Sequence, residues 1–176
     1  YFPSKGSNFS GAYSLYTDNF ARYNGHAPFS ALSASWESVF SVSNRLALIP
    51  AIYGRVLIGQ EIPYAYENAL GSDVFGRYLP QQLPFAGIYN IELTYNSVAV
   101  ASLKLRQRMG SKHYITLAGN FALSDDNFFK ILKGNRIYGC SIGYGLDSMF
   151  GPLEASLGYS NQSKDVGFYV NLGFSF

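Results

Sequence analysis

Residues 139–143 read GCSIG and fit G-x-S-x-G, the elbow that presents a hydrolase serine. That chemistry needs Ser141 at a sharp strand-to-helix turn, with backbone N–H groups aimed at a developing oxyanion. Around it the residues alternate instead. Gly139, Ser141, Gly143 and Gly145 are small, while Tyr138, Ile142, Tyr144 and Leu146 are large. No helical pattern follows, so Ser141 is expected in the middle of a strand and not as a nucleophile. His26 and His113 have no carboxylates at ligand spacing, and neither metal nor cofactor is expected. Cys140, the only cysteine, falls on the apolar side and reads as a small packing group.

Charge is more informative. Lys104, Arg106 and Arg108 alternate on one face, opposite Ala99, Ala101, Leu103 and Leu105. Arg45 and Arg55 share the polar face of 45–59, and Glu37 and Glu154 project from the polar faces of 28–42 and 151–160. If those faces turn inward, the charges meet in a narrow interior and must pair, because unpaired buried charge is costly. A salt-bridged filling of the lumen is expected. A functional version has Arg77, from the long connection, docking against Glu37 or Glu154, or basic groups at the rim meeting anionic lipid.

The elements that would position these residues are strands. Alternating segments run at 7–17, 28–42, 45–59, 97–110, 112–124, 135–148, 151–160 and 165–176. Pro50 interrupts the third and predicts a bulge or a poorly paired neighbour. The turns at 109–112 and 150–152 are tight, whereas the connections at 18–27, 60–94 and 125–134 are long and fall on alternate links. Short turns at one end and long loops at the other predict an all-β, antiparallel up-and-down transmembrane barrel of about eight strands.

A soluble lipocalin-like carrier would show the same alternation with its faces exchanged. A water-facing exterior calls for Lys, Glu and Gln. The polar face here offers Gly139, Ser141, Gly143, Gly145, Ser156, Gly158, Asn171 and Gly173, which suit a crowded interior. Leu153, Leu157, Phe168 and Phe174 suit lipid. Only 14% of residues are charged, no apolar run is long enough for a membrane helix, and no basic stripe argues for nucleic acid. No signal peptide is present, so an exported protein would appear here as a mature chain or a fragment.

Several motifs then carry a resemblance. YFPSKGSNFSG at the start resembles the strand-opening motif of the bacterial surface antigen family, the superfamily of BamA and TamA. IPYAYENALGSD (62–73) resembles the segment leading into that family's long sixth extracellular loop. GPLEASLGYS and YVNLGFSF resemble its last two strands. The likeness spans nearly the whole chain. It implies the last eight strands of a sixteen-stranded barrel, or eight strands closing alone, as one domain over 1–176 with an extracellular loop at about 60–94.

In the family that loop carries Val-Arg-Gly-Phe, whose arginine folds into the lumen. DVFGRYLPQQLPFAG (73–87) departs from the motif, and Arg77 is its only arginine. The closing aromatics imply a signal for the barrel-assembly machinery carried by Tyr169, Leu172, Phe174 and Phe176. LPFAG and the GF-F ending most resemble barrels attached to bacterial patatin-like phospholipases. A Gram-negative outer membrane is therefore the expected location, with outer-membrane lipid as partner. Two functions follow: an anchoring, translocating or assembly barrel for an upstream patatin-like domain that holds any enzymatic activity, or a closed structural barrel that self-associates as a homo-oligomer.

Overall fold

The computed structural model describes residues 5–18, 27–60, 62–76, 78–149 and 151–172. Three strands come first: β1 (Gly6–Tyr16), β2 (Phe29–Ser41) and β3 (Leu46–Ile58). The long connection holds three two-residue strands, β4 (Ala69–Leu70), β5 (Gln82–Leu83) and β6 (Glu92–Leu93). Five long strands follow: β7 (Ser97–Met109), β8 (His113–Asp125), β9 (Asn135–Ser148), β10 (Gly151–Ser160) and β11 (Val166–Leu172). The long strands form one sheet in the order β1-β2-β3-β7-β8-β9-β10-β11, antiparallel at every step.

Local chemistry sets the turns. At the β2–β3 hairpin the Ser43 hydroxyl accepts the N–H groups of Arg45 (3.3 Å) and Leu46 (3.2 Å), and the Val42 N–H donates to the Leu46 carbonyl. Gly110 takes φ +77° in the β7–β8 turn, where a side chain would be strained. Pro50 disturbs its neighbour as expected. The β2–β3 ladder runs from Ser30↔Ile58 to Glu37↔Ala51, lapses at Ser38 and Val39, and resumes at Phe40↔Leu48. Pro50 stands opposite that lapse because it has no N–H to give.

The register divides the sheet into two faces. Outward, rows such as Phe9–Trp36–Ile52–Ala101–Phe121 and Ile142–Leu157–Phe168 stay exposed, Phe9 by 74% and Phe168 by 65%. Inward, Ala51, Tyr53, Val98, Val100, Ala122 and Ile137 pack against Leu70, Leu83, Phe85 and Ile88 of the long connection. The core is therefore built between the small-residue face and the folded loop.

The wall is open. β1 and β11 lie at opposite edges, and among the described residues no ladder joins them. From Gly6 to Leu15 every residue of β1 is exposed. Among the described residues the eight long strands form a single open sheet.

Candidate functional site: a loop seated on the inward face

The connection between β3 and β7 folds back onto the sheet. Its core is a three-stranded sheet with β4 in the centre, parallel to β5 and antiparallel to β6. Leu70, Leu83, Phe85 and Ile88 are buried beneath it. Each such side chain contributes about 1.5–3 kcal/mol of transfer free energy, which holds a segment whose own pairing is only two residues per strand.

Three polar anchors fix its position. Arg55, 6% exposed, donates through Nη1 to the Tyr66 carbonyl (3.1 Å) and to Asn68 Oδ1 (2.8 Å). Asn68 in turn donates to the Tyr95 carbonyl at 2.9 Å, so the two ends of the loop are tied to one strand. The Tyr16 phenol also interacts with this guanidinium. Further along, the Tyr53 hydroxyl donates to the Pro84 carbonyl at 2.6 Å, and its ring meets Phe75 edge-on at 5.0 Å. On β8, the amide orientation of Asn120 that satisfies both its ends accepts the Ala86 N–H at 3.1 Å and donates to Ser102 Oγ at 3.0 Å.

The floor beneath residues 85–89 is made of glycine. A β-carbon on Gly139 would collide with the Ala86 carbonyl, and one on Gly167 with the Tyr89 ring. At Gly158 it would lie 2.6 Å from the Tyr89 hydroxyl and 2.9 Å from Gly87 Cα. Gly87 itself has φ +84° and sits directly on the Tyr159 backbone, where a β-carbon would collide with that backbone. Tyr89 then stacks on Tyr169 of β11, with centroids 5.7 Å apart and planes 8° apart. The small residues of β9–β11 are the seat for LPFAGIY.

Nearer the short turns, a cavity of about 230 Å³ is lined by Asp73, Lys104, Arg106, Glu154 and Ser156. Asp73, from the loop, accepts a hydrogen bond from Ser156 Oγ at 3.3 Å. Arg106 lies in electrostatic reach of Glu154 and Glu37, and Glu154 in reach of Lys104 and Asp73. The loop thus delivers a carboxylate into this cavity. Ser141 lines it too, but β9 runs unbroken from Asn135 to Ser148, so the elbow geometry is absent at this serine. His113 faces outward and bonds the Tyr144 hydroxyl. Among the described residues no group of three His, Cys, Asp or Glu could hold a metal.

The basic residues do not all meet. Lys104 and Arg106 face the cavity, while Arg45 and Arg108 are exposed at the turn end, where the Arg108 N–H donates to the Arg45 carbonyl. Arg55 pairs with Val98 whereas Arg106 pairs with Ala47, eight residues away along β3, a separation of roughly 27 Å at ~3.4 Å per residue. Arg77, Phe174 and Phe176 lie outside the described residues. Tyr169 turns inward to Tyr89, while Leu172 turns outward and is 67% exposed. Asn68 and Asp73 lay within the segment 62–73 that carries the family resemblance, with no role attached to either, and Tyr89 and Asn120 had no motif to mark them. The glycines were visible as a small-residue face, without a sign of what would lie on it.

The outward apolar face, the inward plug and the uniform antiparallel order are the features of a membrane β-barrel wall. No curated protein matches the chain. The family model described as the OMP85 superfamily matches residues 1–176, and the chain belongs to that superfamily of BamA-like outer-membrane β-barrels.

Proposed function

We propose that this chain is the membrane wall of a translocation or assembly barrel that works at the seam between β1 and β11, and that it anchors or exports a domain carried upstream. The reading rests on the open edge. Hydrocarbon tolerates no unpaired strand, so β1 and β11 need a partner there, whether each other or another strand. The inward face is meanwhile occupied by the seated loop. A passenger therefore passes at the seam, or displaces the plug first. LPFAG and the GF-F ending favour a patatin-like lipase as that passenger. The chain itself supplies no catalytic step in this reading, and Tyr169, Leu172, Phe174 and Phe176 serve recognition by the assembly machinery.

A second reading, self-association, draws on the exposure of β1 on both faces, which suits pairing with a second copy. Cysteine pairs separate the two. In a Cys140→Ser background, one cysteine at Phe9, Gly11 or Tyr13 is combined with one at Phe168, Val170 or Leu172. Cross-linking within one chain that stops surface display of the attached domain supports the seam mechanism. Cross-links that form only between chains support self-association, and an intact display activity in the locked barrel overturns the seam mechanism.

A further inference from the structure

The end of the wall that carries the long connections has a second opening, distinct from the charged cavity. It measures about 520 Å³ and is lined by Glu67, Tyr95, Asn96, Asp126, Asn135 and Gln162. These residues come from the loop start, the loop end, the β8–β9 connection, the first residue of β9 and the β10–β11 turn. At its base lies Ser124, whose side chain is wholly buried and whose hydroxyl has no hydrogen-bond partner. Thr94 Oγ1, also in the lining, is buried without a partner as well. Orphaned buried hydroxyls are uncommon and unfavourable, and a ligand that brings its own hydroxyls relieves them.

The lining selects the ligand's chemistry. Two carboxylates and four carboxamides, with no Lys, Arg or His among the described lining residues, repel an anion. Carboxylates accept O–H groups, and carboxamides both donate and accept, which matches adjacent hydroxyls on one ring. Tyr95, about half exposed, supplies apolar surface for C–H groups. The volume lies within the range of small-molecule sites, about 300–1,000 Å³. It is far larger than a bare cation requires, and Asp126 already accepts the Asn96 N–H at 3.4 Å.

We propose that this opening is a binding site for a neutral saccharide at the loop-bearing mouth of the barrel. The sugar hydroxyls bond Glu67, Asp126 and the amides of Asn135 and Gln162, the ring rests on Tyr95, and one hydroxyl reaches Ser124. The site needs neither the seam nor an upstream domain, so it stands apart from the proposed transport role.

The test uses the full-length protein in nanodiscs, in two arms. Methyl glycosides of glucose, galactose, mannose and N-acetylglucosamine are examined by saturation-transfer NMR, and lipooligosaccharide is incorporated in the disc for the second arm. Calcium chloride alone is the third probe. Saturable binding of a free glycoside identifies a soluble sugar, and binding of lipooligosaccharide alone identifies the sugar of the surrounding glycolipid. In either case Glu67→Gln, Asn135→Ala and Gln162→Ala each weaken binding on the order of tenfold, the effect of one lost hydrogen bond to a charged or amide group. Heat-shifted gel mobility verifies that each variant is folded. Silence in both sugar arms, calcium binding that excludes sugar, or sugar binding indifferent to these substitutions overturns the proposal.

Discussion

Replacing Gly139 by valine is the sharpest test of the seated loop. A β-carbon at this position meets the Ala86 carbonyl head-on and lies 2.9 Å from Phe85 Cε1 and 3.2 Å from the Tyr159 carbonyl. Two of those three neighbours are backbone and cannot rotate away. Overpacking of this kind costs about 1–3 kcal/mol. If the cost falls on seating alone, the opening equilibrium of residues 82–90 rises by a factor of roughly 5–150. The readout is amide exchange in a membrane mimic. The Phe85 N–H is held by the Ser72 carbonyl (2.9 Å) and the Ser72 N–H by the Ile88 carbonyl (2.7 Å), so a seated loop exchanges slowly. In the variant, peptides covering 82–90 should exchange faster while β7 and β8 retain protection. Gly119→Ala is the control, since a β-carbon there meets nothing within 4 Å. Equal protection of 82–90 in parent and Gly139→Val would mean that the loop does not rest on β9.

Other perturbations probe the anchors and the faces. Tyr53→Phe removes the 2.6 Å bond to the Pro84 carbonyl and should lower stability by about 1–3 kcal/mol because a buried acceptor loses its donor; an unchanged urea midpoint of the refolded barrel refutes it. Asn68→Ala leaves both the Arg55 Nη1 and the Tyr95 carbonyl short of a partner. It should release exchange protection at both ends of the loop, near 64–70 and 92–96, and loss at one end only would show that the anchor does not couple them. Leu157→Arg places a cation on the lipid face and should cost about 2–4 kcal/mol if the site is near the bilayer midplane, as read by the denaturant concentration for unfolding in vesicles. Nitroxides at Leu157 and Phe168 should collide with oxygen as lipid-exposed labels do, and labels at Ser156 and Asn171 should not; the reverse pattern would invert the wall.

The strand pattern was readable because a period of two leaves little freedom once one face is apolar. The expected segments at 135–148 and 151–160 coincide with β9 and β10, and 97–110 exceeds β7 by one residue. Pro50 announced its own gap. The loop was another matter. Alternation carries no information about a segment whose internal strands are two residues long, and its docking depends on pairs far apart in sequence, such as Ala86 with Gly139. Expectation settled on charge, on Arg77 and the basic row of β7. Arg77 lies outside the described residues. The described loop is held by neutral acceptors around Arg55, a tyrosine hydroxyl, bare backbone and the Asp73 carboxylate beside the basic row. A hydrogen bond to a carbonyl leaves no mark on which residue supplies that carbonyl, which is why Tyr53→Pro84 could not be read in advance.

The sequence by itself determined which residues face each side, because successive side chains on a strand must point oppositely and lipid accepts only one of the two sets. Tertiary structure alone decided what the small-residue side is for. Glycine at 139, 158 and 167 means only missing side chains until another segment comes close enough to need the space, and that approach is set by the folded loop. It likewise decided that Arg55 and Arg106, alike on one face in the sequence, belong to different ends of the barrel wall, since eight residues of extended chain separate Arg55 from Ala47, the β3 residue that Arg106 pairs with.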